Sequence, residues 1–141
     1  MSGSRGCGEQ WVRQRYASVV HEYRVRHAKT VVIVAIDANG GDVDRRRRQL
    51  SESLMSAGEQ PRADSEGIVH LIPKRNIETW ILCLNGEQVD EDEDYKARVD
   101  DQQIAPAARA FLEGTRRGVQ PPCHWIPSLL AVIPEVRRLD R

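Results

Sequence analysis

The sequence predicts an α/β domain, a mainly parallel sheet with flanking helices and a C-terminal part that is helical. Three observations lead there. The run Val31-Val32-Ile33-Val34-Ala35-Ile36 is β-branched and apolar throughout, the composition of a strand covered on both faces, as in a parallel sheet between helices. A second apolar stretch, Gly67-Ile68-Val69-His70-Leu71-Ile72, halts at Pro73, which has no N–H to extend a ladder. Segments of helical period lie before, between and after these two strands, the alternation of a layered α/β fold.

Each element follows in order. Residues 1–8, rich in Gly and Ser, read as a flexible start. Trp11, Val12, Tyr16, Val19, Val20 and Tyr23 then recur at three- and four-residue steps, with Arg13, Gln14, Arg24 and Arg26 on other faces; this is an amphipathic helix. The first strand is expected to be central in the sheet. It closes on Asp37-Ala38-Asn39-Gly40-Gly41-Asp42, where two glycines allow a tight turn and Asp42 or Asp44 can cap the next helix. Val43, Arg47, Leu50 and Leu54 share one face of that helix, and Gly58 stops it. A polar loop, 59–66, precedes the second strand. A third helix opens at Asn76, with Ile77, Trp80, Ile81 and Leu84 as its buried stripe, and ends at Asn85-Gly86. Residues 87–103 form an acidic loop in which six carboxylates between Glu87 and Asp94 repel one another and favour solvent. Two last helices span 105–117 and 128–138, separated by the breaker Gly118–Pro122.

The bulk properties narrow the function. At 141 residues the chain is expected to form one domain, residues 1–141, burying roughly two-thirds of its unfolded surface. Lys plus Arg and Asp plus Glu both number 21, so net charge gives no global attraction to nucleic acid or anionic lipid. No apolar run nears the ~18 residues that span a bilayer, and MSGSRGCGEQ lacks the pattern of a secretory signal. A cytoplasmic protein with no membrane partner is expected. Cys7, Cys83 and Cys123 are odd in number and widely spaced, as for reduced thiols; Cys83 reads as core, while Cys123 beside His124 is either a weak metal pair or simply surface. His21, His27, His70 and His124 have no metal-ligand spacing.

Two strand-end loops carry the polar groups suited to chemistry. Asp37, Asn39, Asp42 and Asp44 lie at or just beyond the carboxyl end of the first strand, where open α/β sheets bind ligands. Their oxygens suit a hard cation, although Asp42, Asp44 and Asn39 are equally explained as cap and turn residues. After the second strand, Pro73-Lys74-Arg75-Asn76-Ile77-Glu78 opens a helix. Lys74 and Arg75 there can bind phosphate oxygens, and Glu78 either joins Asp37 at one sheet edge or merely complements the helix dipole. Arg45 to Arg48 point around a helix and cannot form one flat patch; most are expected to be solvated.

The stretches GEQWVRQRY at 8–16, VVIVAIDANGGDVDRRRRQL at 31–50, IPKRNIETWILCLNG at 72–86 and DYK at 94–96 resemble small prokaryotic proteins of Toprim-like, Rossmann-like fold. This topoisomerase–primase domain also occurs in overcoming-lysogenization-defect nucleases. The resemblance implies Mg²⁺ or Mn²⁺ held by a glutamate after a first strand and an Asp-x-Asp pair after a later one, with phosphodiesters of nucleic acid as substrate. It maps the pair onto metal ligands Asp37 and Asn39, and it implies Asp37, Glu78 and Lys74 as catalytic residues and Lys74 and Arg75 as nucleic-acid contacts. Asn39 stands where the family has an aspartate, and nothing before Trp11 reads as a strand carrying the first glutamate. Glu9 follows no strand. The domain is therefore expected to be N-terminally incomplete, its first strand and acid lost or supplied by another polypeptide; a partner protein or a homo-oligomer is expected. The implied function is a metal-dependent nuclease, with phage defence as its setting; the alternative is a non-catalytic module that binds nucleic acid or completes a partner's site.

Overall fold

The structure, a computed structural model, describes residues 4–26 and 29–139. In chain order the elements are α1 (Ser4–Arg26), β1 (Val32–Ala35), α2 (Val43–Ser56), β2 (Ile68–Leu71), α3 (Ile77–Leu84), α4 (Ile104–Thr115), α5 (Pro127–Leu130) and α6 (Ile133–Arg137), with two short 3₁₀ turns at Lys96–Arg98 and Asp101–Gln103. The result is a mixed α/β fold around a two-stranded parallel sheet in which Val32 pairs with Ile68 and Ala35 with Leu71.

The alternation of side chains along a strand divides the molecule into layers. Val32, Val34, Ile36 and Ala38 point to one face, where Tyr16, Ala17 and Val20 of α1 and Leu50 and Leu54 of α2 cover them. On the other face Leu71 packs against a second cluster built from Trp80, Cys83, Trp125, Ile126, Leu129 and Val132. That second layer stops at β2. Val31 and Ile33 remain 51% and 56% exposed, so β1 is not the doubly covered central strand that its apolar run predicts. Strand composition reports a tendency to be covered, and no described element supplies the cover.

The two outer edges of the sheet differ. At β2, His70 N–H donates to Glu135 Oε1 at 2.7 Å, while the Ile68 carbonyl accepts from Arg62 Nη1 at 2.8 Å and Arg138 Nε at 3.0 Å. Arg62 also holds the Glu135 carboxylate at 2.6 and 3.0 Å. The edge of β2 is thus capped by charged side chains, a way of preventing further strand addition. Beside it His70, 3% exposed, meets the Tyr16 hydroxyl at 2.7 Å. Burial first, then the Arg62 charge, lowers the His70 pKa to about 3, so the ring is neutral.

Other expectations are corrected locally. The helix α1 begins at Ser4, within the stretch read as a flexible start; residues 1–3 lie outside the described residues. Trp11, assigned to a buried stripe, is exposed with the Arg15 guanidinium 5.1 Å from its ring centroid. Ile77 is likewise exposed at the start of α3. The single helix predicted over 128–138 is two, because Pro127 and Pro134 each occupy the first turn of a short helix and neither can donate within a longer one. Cys83 is core as expected, and His124 Nε2 lies 3.0 Å from the Cys83 carbonyl.

Candidate functional site

Beyond β1 and β2 the backbone ladder continues into the loops. Ala38 N–H donates to the Pro73 carbonyl at 2.9 Å and Gly40 N–H to the Lys74 carbonyl at 2.7 Å. The two strand-end loops are therefore zipped together at the carboxyl edge of the sheet. Asn39 and Gly40 adopt left-handed backbone, with φ 55° and 81°, and a side chain on Gly40 would meet the Arg75 guanidinium at 2.9 Å. The dihedral is what favours glycine here, since the partly exposed tip of Arg75 can move aside.

Asp37 lies two residues beyond β1, in phase with Ile33 and Ala35, and is half-buried. Its pKa is raised, chiefly by burial and next by the negative charge of Glu78, while Lys96 and Arg46 pull in the opposite direction. Charges from three other segments thus act on Asp37: Glu78 in the first turn of α3, Lys96 in the 3₁₀ turn after the acidic loop and Arg46 of α2. Arg46 is buried, donating Nε–H to the Asp37 carbonyl at 3.0 Å and Nη1–H to Gln49 at 2.8 Å. It clamps the end of β1 to α2 instead of facing solvent.

The remaining predicted residues are placed differently. Asp42 is the cap of α2, accepting from Asp44 N–H at 2.8 Å, and Asp44 pairs with Arg47 at 2.9 Å; both follow the cap-and-helix reading. Asn39 is exposed and makes no side-chain hydrogen bond. Lys74 Nζ is 2.9 Å from Asp92, which raises its pKa, and Arg75 lies 3.8 Å from Asp94. The acidic segment 90–94 is consequently docked on the Lys74-Arg75 loop, not simply solvated. Asp94 also accepts from Asn76 Nδ2 at 3.0 Å and Lys96 N–H at 2.9 Å, and Glu91 accepts from Ser128 N–H at 2.9 Å. Lys74 lines an open cleft of about 610 Å³ with Gly40, Gly41, Arg47, Glu91 and Ser128; Asp37 and Glu78 are not part of its wall.

The negative charge of Glu78 is felt at Asp37, and Lys74 and Arg75 are held in ion pairs with the acidic loop. Among the described residues no group of three or more His, Cys, Asp or Glu side chains forms a metal cluster. Sequence reasoning missed Lys96 and Arg46 as neighbours of Asp37. Lys96 lies 59 residues further along the chain than Asp37, and only the fold brings it back; Arg46 was one of four adjacent arginines with no sequence mark to single it out. Among the described residues no helix is long and apolar enough to cross a membrane. No family model, curated protein or solved structure matches the chain.

Proposed function

We propose that the chain is a Toprim-like, metal-dependent phosphodiesterase acting on nucleic acid, or a protein derived from such a nuclease. The observation that supports this reading is the half-buried Asp37 at the carboxyl edge of a parallel sheet, the position where α/β folds bind ligands, with the charge of Glu78 felt there. Mg²⁺ or Mn²⁺ bound there would polarise a phosphate and provide a hydroxide nucleophile. Asp37 and Glu78 are the residues that would hold the ion, with Asn39, two residues after Asp37, offering a third oxygen. Lys96 offsets part of the Asp37 charge and would offer a cation to a phosphate oxygen. Lys74 and Arg75 reach a nucleic-acid backbone on this reading only by exchanging Asp92 and Asp94 for phosphate, so the acidic loop acts as a competitor that substrate displaces. Incubation of the purified protein with plasmid or RNA and Mg²⁺ or Mn²⁺ is expected to give cleavage that Asp37→Ala abolishes. Cleavage unaffected by that substitution would remove Asp37 from the mechanism. A role in phage defence follows from the resemblance alone, and unchanged phage sensitivity of a deletion strain across a broad panel would refute it.

A second reading has its own support: the acidic loop occupies both basic residues, and the donor set holds two carboxylates where the family uses three. On that reading the chain is a non-catalytic module that completes the site of a partner. Metal titration separates the two. Tight Mg²⁺ or Mn²⁺ binding with turnover supports the enzyme, and the absence of detectable binding by the isolated chain supports the module.

A further inference from the structure

The two edges of the sheet are treated in opposite ways. Arg62, Glu135 and Arg138 occupy the outward backbone groups of Ile68 and His70 on β2. On β1 the even residues point inward, with Val32 and Ile36 N–H donating to the Gly67 and Leu71 carbonyls. The odd residues Val31, Ile33 and Ala35 point outward, and no described strand pairs with them. Among the described residues, only the carbonyl of Asp37, at the far end, is engaged, by Arg46. The open stretch is also the stretch whose side chains are uncovered, since Val31, Ile33 and Ala35 are all exposed. An unpaired edge combined with an uncovered apolar face is a template for another strand.

The side chains along this edge are complementary to themselves. In an antiparallel pairing centred on Ile33, Ile33 meets Ile33 of a second copy, Val31 meets Ala35, and Lys29 meets Asp37. Lys29 is exposed, and its positive charge falls opposite the half-buried carboxylate twice, once at each end of the pair. Sliding the register by two residues places Val31 opposite Asp37 or leaves Lys29 facing Ala35, and the charge match is lost. We propose that this chain forms a two-fold symmetric homodimer through antiparallel pairing of β1 with β1, making a four-stranded sheet in which Lys29 of each copy reaches Asp37 of the other. The isologous geometry is that of the commonest oligomers. Pairing gives the exposed apolar strip a partner, satisfies the outward N–H and C=O groups of residues 31–35, and adds a counter-charge to a carboxylate that its own chain neutralises only in part. The dimer does not depend on metal or nucleic acid, so it holds whichever reading of the site is correct.

Sedimentation of the full chain in metal-free buffer tests the pairing. The wild type is expected at the mass of two 16.0 kDa chains. Lys29→Glu and Asp37→Lys each convert both end contacts to like-charge pairs and are expected to weaken dimerisation about tenfold or more. Mixing the two variants restores both contacts in the heterodimer and is expected to recover wild-type affinity. Far-UV circular dichroism confirms that each variant is folded, and recovery on mixing requires it. A monomeric wild type at high concentration overturns the proposal. So does a dimer indifferent to both reversals, or two weakened variants that fail to rescue each other.

Discussion

Acid is expected to destabilise this protein through one histidine, His70. His70 is buried in β2 against Tyr16, and burial and Arg62 hold its folded pKa far below the ordinary 6.5. A group whose folded pKa is depressed binds its proton more readily in the unfolded chain, so stability is lost as pH falls below the unfolded value. Once that value is passed the loss is about 1.4 kcal/mol per pH unit. Between pH 6.5 and about 5 it amounts to about 2 kcal/mol, a large part of a typical 5–15 kcal/mol. The window is selective. Glu135, held below the usual carboxylate range by Arg62 and the His70 N–H against the opposing effect of burial, begins to act only below about 4.5. Urea unfolding at several pH values reads the effect as a midpoint that falls by about 1 M across the window. His70→Gln keeps a polar partner for the Tyr16 hydroxyl but does not titrate, and its midpoint is expected to stay level over the same range. A wild-type slope shared by His70→Gln would refute the reasoning, because the loss would then arise elsewhere.

Three further outcomes follow from particular contacts. Glu135→Ala leaves the Arg62 guanidinium and the His70 N–H without their shared carboxylate at a buried site and is expected to destabilise by about 3–5 kcal/mol in chemical denaturation. Gly114→Ala in α4 directs a methyl group into the buried Trp125 ring; helix propensity would favour alanine by about 1 kcal/mol, yet overpacking of about 1–3 kcal/mol is expected to win and lower the thermal midpoint. Asp37→Asn removes a carboxylate that burial and Glu78 disfavour in the folded state. Because that pKa is raised, ionisation opposes folding near neutrality, so the variant is expected to unfold slightly higher there, to lose its advantage below pH 3.8, and to lose metal binding, as paired thermal melts and titrations would register.

What the sequence made legible was local. Two apolar runs, a proline after one and glycines after the other, marked both strands and the loop where Asp37 sits, because these signals act on the backbone within a few residues. Asp42 and Asp44 were legible as cap residues for the same reason. The covering of β1 was not, since composition records what a strand tolerates on each face and not which element arrives there. Arg46 and Lys96 were illegible for a related reason: one is distinguished from its arginine neighbours only by helical phase against β1, the other approaches Asp37 from a turn far along the chain.

The contrast between the edges connects fold and site. A charged carboxylate such as Glu135, nine-tenths buried, is tolerated only when paired and hydrogen-bonded, so Arg62, Arg138 and Glu135 form a costly arrangement whose geometric effect is to end the sheet at β2. Among the described residues no comparable group ends it between Val31 and Ala35 at β1, and Asp37 stands at the carboxyl end of the strand on that side. A strand added there extends the sheet beside Asp37, and an antiparallel one in the proposed register delivers its first residues to that carboxylate. The open edge of β1 and the chemistry at its end are consequently one problem. A substitution such as Ile33→Lys, distant from both carboxylates, should alter the charge environment of Asp37 by removing the added strand, detectable as a changed Asp37 titration in carboxyl-resolved NMR. An Asp37 titration identical in wild type and Ile33→Lys would separate the two features again.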